Sequence, residues 1–486
     1  MPVILSLLLL LLAGCATAPR QPGAAACAAR FADIDARVER AGVRDADSAT
    51  IRGFPFLRID RLLASLVDAA QRDEAARLAW LGRLAALDTS ARALELRALE
   101  RDAQQRATLR AELDRCRDLL VARVATDAAA FDALRAAARV PDAYRRWQRM
   151  LGAYPLAARV AMRGVLRLQR EENPEPRDLR DVPAGARVYA PPADVAAVDR
   201  RALAASLAAA PRDALDMPQP APALLARLFA MHAPVWVVDH AGEADTIGRV
   251  VHDGATVRID TTAPSVYHYP SFTRFEQRVL LQLNYVVWFS ARPKSGPLDL
   301  LGGEIDGLTW RVTLDVDGEP LVHDSMHNCG CYHLWLPGPR LAARAHADDT
   351  EPAWIPFSVA TTAPLALHLA AGTHYLRAVG AAPERRDATL RVRDYDALRS
   401  LPLTDGRTRS MFGTDGLVHE SQRLERFVFW PFGIPSAGAM RTRGHHATAF
   451  VGRRHFDDAF AIERYFKRLA GDAGRNGGKA QSPGTR

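Results

Sequence analysis

The eleven residues His323-Asp324-Ser325-Met326-His327-Asn328-Cys329-Gly330-Cys331-Tyr332-His333 bring together three imidazoles, two thiols and a carboxylate. The chain of 486 residues holds 14 histidines and five cysteines, and five of these fall in this one window. Four readings of it are open. Neutral imidazole and thiolate suit Zn or another transition metal, with His327, Cys329, Cys331 and His333 as ligands and His323 as a fifth group or base. Such a metal would polarise a carbonyl or activate water for hydrolysis. The spacing opposes it in one respect, since structural zinc pairs usually have two or more residues between cysteines and C-x-C has one. Alternatively, Cys329 and Cys331 pair across Gly330 as a strained, readily exchanged disulfide. A third reading makes Cys331 a nucleophile activated by His327 or His333. The fourth is a packed, hydrogen-bonded turn with Tyr332 and Trp335 and no chemistry of its own.

These residues need elements to hold them. "TWRVTLDVDGEPLVHDS" reads as a hairpin turning at Asp317-Gly318, with its returning strand running into His323. Strand side chains alternate faces, so the odd-numbered His323, Ser325, His327, Cys329, Cys331 and His333 are expected on one side until Gly330 bends the chain. Around them, "GGEIDGLTWR" supplies Glu304 and Asp306, and "WFSARPKSG" places Arg292 and Lys294 just past a strand end. Glu304 or His323 is then a candidate base, and Arg292 a candidate for orienting a substrate carboxylate or phosphate. His445, His446 and His455 read as a solvent-facing loop before a final helix, available as distant ligands or for an anion.

"NCGCYH" has a faint likeness to the Ser-His-Gly-Cys-x-Arg/Asn motif of L,D-transpeptidases: Gly330 and Cys331 match, while Asn328, Cys329 and His333 depart from it. The N-terminus is more specific. In "MPVILSLLLLLLAGC" the run Val3 to Leu12 is too short to span a bilayer and has the length of a signal-peptide core. Leu12-Ala13-Gly14-Cys15 resembles the bacterial lipobox, although the Met1-Pro2 n-region carries no Lys or Arg. The resemblance implies cleavage before Cys15, its acylation, and, with Ala16 following, sorting to the Gram-negative outer membrane. The implied partner is the membrane, through the N-terminal lipid.

A net charge of +8 rests almost wholly on arginine, with Lys294, Lys467 and Lys479 the only lysines. The arginines alternate with Asp and Glu as on solvated helix faces, so nucleic acid is not expected as a partner, whereas an envelope protein or anionic polymer is. No H-E-x-x-H, G-x-S-x-G, Walker A, Rossmann glycine or C-x-x-C-H pattern occurs.

The expected fold class is α+β: a signal peptide over 1–14, a helical domain over 15–172, a Pro-rich linker over 173–223, a largely antiparallel β-rich domain with a C-terminal helix over 224–470, and a disordered tail over 471–486. Cys27, Phe31, Ile34 and Val38 make one helical stripe stopped by Gly42, and Leu109, Leu113, Cys116 and Leu120 make another. Ile59, Leu62, Leu63 and Leu66 suggest a third such face. Cys27 and Cys116, both on buried faces, are expected to form a disulfide in an oxidising compartment. A scaffold or binding lipoprotein without catalysis is the competing function.

Overall fold

The computed structural model describes residues 23–192, 199–346, 348, 350–359 and 364–469. The signal peptide, Cys15 and the 471–486 tail lie outside the described residues. Among the described residues, no helix is long and apolar enough to cross a membrane.

The chain opens with α1 (Ala24–Ala41), which buries Cys27, Phe31, Ile34 and Val38 and ends on Gly42 at φ 62°. That left-handed position is open to glycine without steric cost. A hairpin of β1 (Ala49–Ile51) and β2 (Phe54–Ile59) follows, then the short α2 (Arg61–Ser65). Ile59 therefore ends a strand, although it is buried with Leu62, Leu63 and Leu66 as the sequence pattern requires. Helices α3 (Glu74–Leu99) and α4 (Ala103–Thr126) pack beside α1, and each starts on an aspartate, Asp73 or Asp102, whose side chain accepts backbone N–H groups. The Cys27–Cys116 disulfide ties α1 to α4 with Cα atoms 5.1 Å apart and a sequence separation of 89. By chain entropy, closing a loop of that size stabilises the fold by about 4–5 kcal/mol. Behind the disulfide, Arg58 reaches Glu95 at 2.5 Å, and Arg117 meets Asp88 at 2.8 Å, all four being buried.

Three further helices, α5 (Ala128–Ala137), α6 (Arg146–Leu151) and α7 (Tyr154–Glu171), complete the N-terminal third. The domain boundary expected at 172 is not where packing changes. The Tyr144 hydroxyl donates to the carbonyls of Ala449 and Arg454, and Arg149 donates to those of Phe432 and Gly452. Residues 143–161 thus share a core with 429–450. The Pro-rich stretch is likewise more than a linker. It contributes β3 (Glu175–Pro176), β4 (Ala186–Ala190) and α8 (Arg200–Ala208), because proline is tolerated at the edges and ends of strands.

After α9 (Pro222–His232) the chain is strand-rich: β5 (Val235–Asp239), β6 (Arg249–His252), β7 (Val257–Asp260), β8 (Ser265–Phe275), β9 (Arg278–Arg292), β10 (Gly303–Leu314), β11 (Pro320–His327), β12 (Leu334–Pro337), β13 (Leu341–Ala343), β14 (Leu365–Leu369), β15 (Leu376–Ala381), β16 (Ala388–Thr389) and β17 (Arg391–Asp394). The expected hairpins at Asp253-Gly254 and Asp317-Gly318 are present as β6–β7 and β10–β11. One six-stranded sheet runs β12-β11-β10-β9-β8-β17, antiparallel but for the β8–β17 pair. A second, mixed sheet runs β16-β4-β5-β14-β15-β3. Leu281, Leu283, Tyr285, Val287 and Phe289 of β9 pack with Trp236, Val238, Leu367 and Leu369 of the second sheet. Gln282 and Asn284 point the other way and are buried too, Gln282 Nε2 donating to Thr313 Oγ1 and Asn284 Nδ2 to Tyr269 O and Ser271 Oγ. The architecture is α+β, a helical region followed by a strand-rich one. Its expected C-terminal helix is cut short, with only Ala461–Tyr465 helical before Phe466–Arg468 pairs with β13.

Candidate functional site

The returning strand β11 aligns Val312 with His323, Trp310 with Ser325 and Leu308 with His327. These odd-numbered residues therefore share the face that packs on the second sheet, as the alternation predicts up to that point. The chain then turns. Gly330 N donates to the His327 carbonyl at 2.7 Å and His327 N to that of Cys331 at 3.0 Å, with Gly330 at φ 99°. When the chain returns as β12, Trp335 aligns with Asp324, so His333 lies on the opposite face from His327. There its Nε2 meets Asp324 at 2.9 Å, and Arg311 holds the same carboxylate at 2.9 and 2.6 Å. Burial first of all lowers the His333 pKa to about 4, against the pull of Asp324. The tight turn reverses the parity on which a single row of six side chains depended.

The structure separates other expected members as well. His323 stacks on Trp310 with centroids 5.4 Å apart, and burial brings its pKa to about 4, with the Arg200 cation adding to the effect. It is a core imidazole. Glu304 is exposed, and Asp306 two residues on is fully buried, because Ile305 at φ 52° breaks the alternation between them. The 445–455 segment is not a solvent loop throughout: His446 is buried with Nε2 3.2 Å from the Asn328 carbonyl oxygen. That oxygen also accepts from Arg441 N at 2.9 Å, while Asn328 N donates to Gly307 O at 2.9 Å and Thr309 Oγ1 donates to Asn328 Oδ1 at 2.7 Å. The turn that carries the thiols is thus pinned from strands and loops on two sides.

What the fold does bring together lies around Asp306. His374 Nδ1 approaches it at 2.7 Å, Arg423 at 3.2 Å and His327 Nδ1 at 3.8 Å. The His374 ring stacks flat on Phe289 at 3.8 Å, and its Nε2 lies 3.4 Å from Asp245. Burial opposes ionisation of Asp306, but Arg423 and then the two imidazoles overcome it and hold the carboxyl well below the usual range. For His374 burial again opposes the charge, and the Asp245 and Asp306 carboxylates raise its pKa. Arg292 is buried, as a candidate for orienting substrate should not be when free, and donates to the Tyr375 hydroxyl at 3.2 Å; that hydroxyl donates to Tyr332 at 2.5 Å. Ile305, Tyr332 and His374, all beside this cluster, have φ of 52°, 57° and 55°. Each such left-handed residue costs about 1–3 kcal/mol and persists only where the surroundings enforce it.

The two thiols sit at the edge of this cluster. Cys331 N donates to Cys329 Sγ at 3.4 Å, and both sulfurs are free. The Cys331 thiol, donating to its neighbour, is the main cause that brings the Cys329 pKa to about 6; burial opposes this, and His327 and Arg423 add to it. The same contact, with burial, raises Cys331 well above its ordinary value. One proton leaves the pair easily and the second with difficulty. Glu425, pushed up to about 8 by burial and by the Cys329 thiolate, remains a protonated acid at neutral pH. His327 is 2% exposed, and neither of its ring nitrogens has a hydrogen-bond partner. Cys329, Cys331, Tyr332 and Glu425 open onto a cavity of about 320 Å³ whose other walls are largely apolar, with Val165 and Leu168 of α7 on one side and Phe429 and Phe450 on the other.

Gly330 is required here. A Cβ on it would lie 2.5 Å from the Ala447 carbonyl oxygen, in addition to the positive φ. Gly330→Ala is expected to destabilise the protein by about 1–3 kcal/mol from the backbone conformation alone, and to separate the thiols. Thermal unfolding together with the alkylation midpoint of Cys329 checks this; unchanged values for both would refute it.

Among the described residues no group of three or more His, Cys, Asp and Glu side chains is placed to hold a metal ion. His374, Arg423, Glu425 and Tyr375 carried no local signal in the sequence, since they lie 47 to 98 residues beyond His327 and Cys329 is read with them only in three dimensions. Comparison with family models, with curated proteins and with solved structures returns no match.

Proposed function

We propose that this chain is an outer-membrane lipoprotein, anchored through acylated Cys15, that carries out thiol–disulfide exchange at Cys329 and Cys331. The observation that carries the reading is a pair of free cysteines two residues apart at the wall of a cavity, with the Cys331 backbone N–H donating to Cys329 Sγ at 3.4 Å and the neighbouring thiol lowering the pKa of Cys329 while that of Cys331 is raised. The Cys329 thiolate attacks one sulfur of a substrate disulfide, forming a mixed disulfide and expelling the other sulfur as a thiolate, which takes a proton from Glu425. Cys331 gives its proton to the Glu425 carboxylate and attacks the Cys329 sulfur. The Cys329–Cys331 bond forms, the second substrate sulfur leaves, and two electrons have passed from the dithiol to the substrate. The same steps reversed hand a disulfide to a substrate dithiol. His327 and Arg423 stabilise the attacking thiolate, and the apolar walls of the cavity exclude water from the exchange.

The metal reading of His327, Cys329, Cys331 and His333 draws on the same thiolate and on the two unpartnered nitrogens of His327. His333 lines the same cavity as the thiols, but its Nε2 is taken by Asp324 and only its Nδ1 is without a partner, and among the described residues no group of three or more His, Cys, Asp and Glu side chains is placed to hold a metal ion. Ellman's reagent, an aromatic disulfide, separates the two readings when combined with elemental analysis of chelator-free protein. Exchange predicts that the chain releases two thiolates and retains no adduct, whereas Cys331→Ser releases one and keeps the mixed disulfide. A stoichiometric metal that must be chelated before either thiol reacts would overturn the exchange reading in favour of Zn or another transition metal. Adducts retained on both sulfurs of the unaltered chain would overturn it in favour of a structural turn.

A further inference from the structure

Helix α7 is eighteen residues long and buries none of them, unlike every other helix of eight or more among the described residues. Its inner face, Ala161, Val165 and Leu168, is half-buried over the cavity that holds the thiols. Its outer face carries Leu156 and Val160 near the start and Arg159, Arg163, Arg167 and Arg170 along its length, all exposed. The periodicity of 3.6 residues places these on one side. The preceding α6 extends the surface with Trp147, Met150 and Leu151. Trp147 meets Trp430 edge to face with centroids 5.6 Å apart, which joins α6 to the exposed Phe427 and Val428. Met150, Leu151, Leu156, Val160 and Phe427 are each between 65% and 75% exposed. A contiguous apolar patch of this kind marks a docking surface rather than scattered surface residues.

The charge on the patch selects its occupant. Between Arg145 and Arg170 the chain has seven arginines and no Asp, Glu or Lys. Of these arginines Arg167 pairs with Glu171 at 2.8 Å, and among the described residues Arg146, Arg159, Arg163 and Arg170 are in no ion pair with a carboxylate. Bulky apolar side chains and arginine on one exposed surface are the pattern of an amphipathic helix lying in the headgroup region of an anionic bilayer, with tryptophan at the water boundary. A protein partner reading the same surface would need a dense acidic face with an apolar centre, whereas a lipid surface supplies both at once.

We propose that α6, α7 and the adjoining residues 424–430 form a docking surface for a bilayer rich in anionic phospholipid. The surface acts independently of an N-terminal lipid and of the thiol chemistry. It lays the outer face of α7 on the membrane and so sets the cavity beneath its inner face close to the bilayer.

The test uses the full chain carrying Cys15→Ser, so that no acyl group contributes. Sedimentation with vesicles of phosphatidylcholine alone is compared with vesicles of equal parts phosphatidylcholine and phosphatidylglycerol. Binding is expected to the mixed vesicles only, to weaken at high salt, and to bring Trp147 fluorescence to shorter wavelength. Arg159→Glu with Arg163→Glu should lower the partition coefficient at least about tenfold, given that each cation near an anionic surface is worth roughly a fivefold change. Leu156→Asp with Val160→Asp should do the same; these four side chains are exposed, and an unchanged melting temperature confirms that the variants fold. Equal binding to both vesicle types, absence of binding, or indifference to both double substitutions would overturn the proposal. So would a dimer in sedimentation velocity that Leu156→Asp disperses, which would assign the surface to a second copy of the chain.

Discussion

Alkylation of Cys329 by iodoacetamide is expected to follow a titration with its midpoint near pH 6, where the thiol is brought by Cys331, His327 and Arg423. An unperturbed thiol, with a pKa of about 8.5, gives a midpoint more than two units higher. The rate at pH 7 is the weaker measure. There the thiolate fraction is about thirtyfold larger than for an ordinary cysteine, but the lower basicity of the sulfur removes roughly tenfold in intrinsic nucleophilicity, leaving about threefold. At pH 5 the net advantage grows to about thirtyfold by the same arithmetic. The position of the midpoint therefore decides. Cys331→Ala should move it upward most, because the neighbouring thiol is the largest cause of the shift; Cys331→Ser, which keeps a donor, should move it less. Arg423→Met should move it upward as well. A midpoint above pH 8 for the unaltered protein, read by mass spectrometry on the peptide that contains Cys329, would remove the basis for the thiolate and for the exchange reaction with it.

The largest effect on stability is expected at Asp306. Removing its carboxylate leaves the Arg423 guanidinium buried without its carboxylate partner and leaves His374 with Asp245 alone, and breaking a buried charge pair in this way typically costs about 3–5 kcal/mol. Asp306→Ala should lose that amount in urea unfolding near neutral pH, and Asp306→Asn less, since the amide still bonds to its neighbours. The pH dependence gives a second check. The pKa of Asp306 is depressed in the folded protein, so its contribution is complete above the ordinary carboxylate value of about 3.9 and disappears as pH falls toward the depressed one. The pKa of His374 is raised, so its contribution is complete below the ordinary imidazole value of about 6.5 and is lost as pH climbs through the folded value. The difference in stability between the unaltered chain and Asp306→Ala should thus be widest between those two pH values and narrow on both sides. A difference that is constant from pH 3 to pH 9 would mean that the cluster does not carry its charges in the folded state.

How much of this was legible depends on how local each feature is. The stripes Cys27-Phe31-Ile34-Val38 and Leu109-Leu113-Cys116-Leu120 depend on helical period alone, and both are buried where the period places them. Their disulfide follows from two cysteines on two buried faces, and it is present. The Asp253-Gly254 and Asp317-Gly318 turns are equally local and form as expected. The window at 323–333 was located correctly as dense in reactive groups but not in its geometry. Alternation holds through His327 and then fails, because the tight turn around Gly330 sends His333 to the other face. Gly330 signals the bend from within the window, but not the face to which it sends His333; the turn is held by Gly307, Arg441 and His446, which bond to Asn328 from elsewhere. Arg292, expected just past a strand end, is the last residue of β9 and pairs with Gly303, and its guanidinium is held by Tyr375 rather than open to a ligand. The left-handed backbone at Ile305 and Tyr332 could not be read either, since neither residue type favours it.

The placement of the cysteines bears on how the chain reaches its native pairing. After Cys15 four remain, which allow three ways of making two bonds. A chain that crosses a membrane N-terminus first presents Cys27 and Cys116 while residues 329 and 331 are still some 200 positions behind. The helices α1 and α4 can pack and their bond can close before a competing thiol arrives. Cys329 and Cys331 then emerge two residues apart, each the other's nearest partner, into a turn whose supports at 441–446 are translated later still. In a chain exported that way the order of synthesis would itself sort the pairs, so that Cys329 and Cys331 meet helices whose own sulfurs are already joined. Moving Cys27 by circular permutation to the end of the chain would remove that temporal separation and put the two sets of sulfurs in competition.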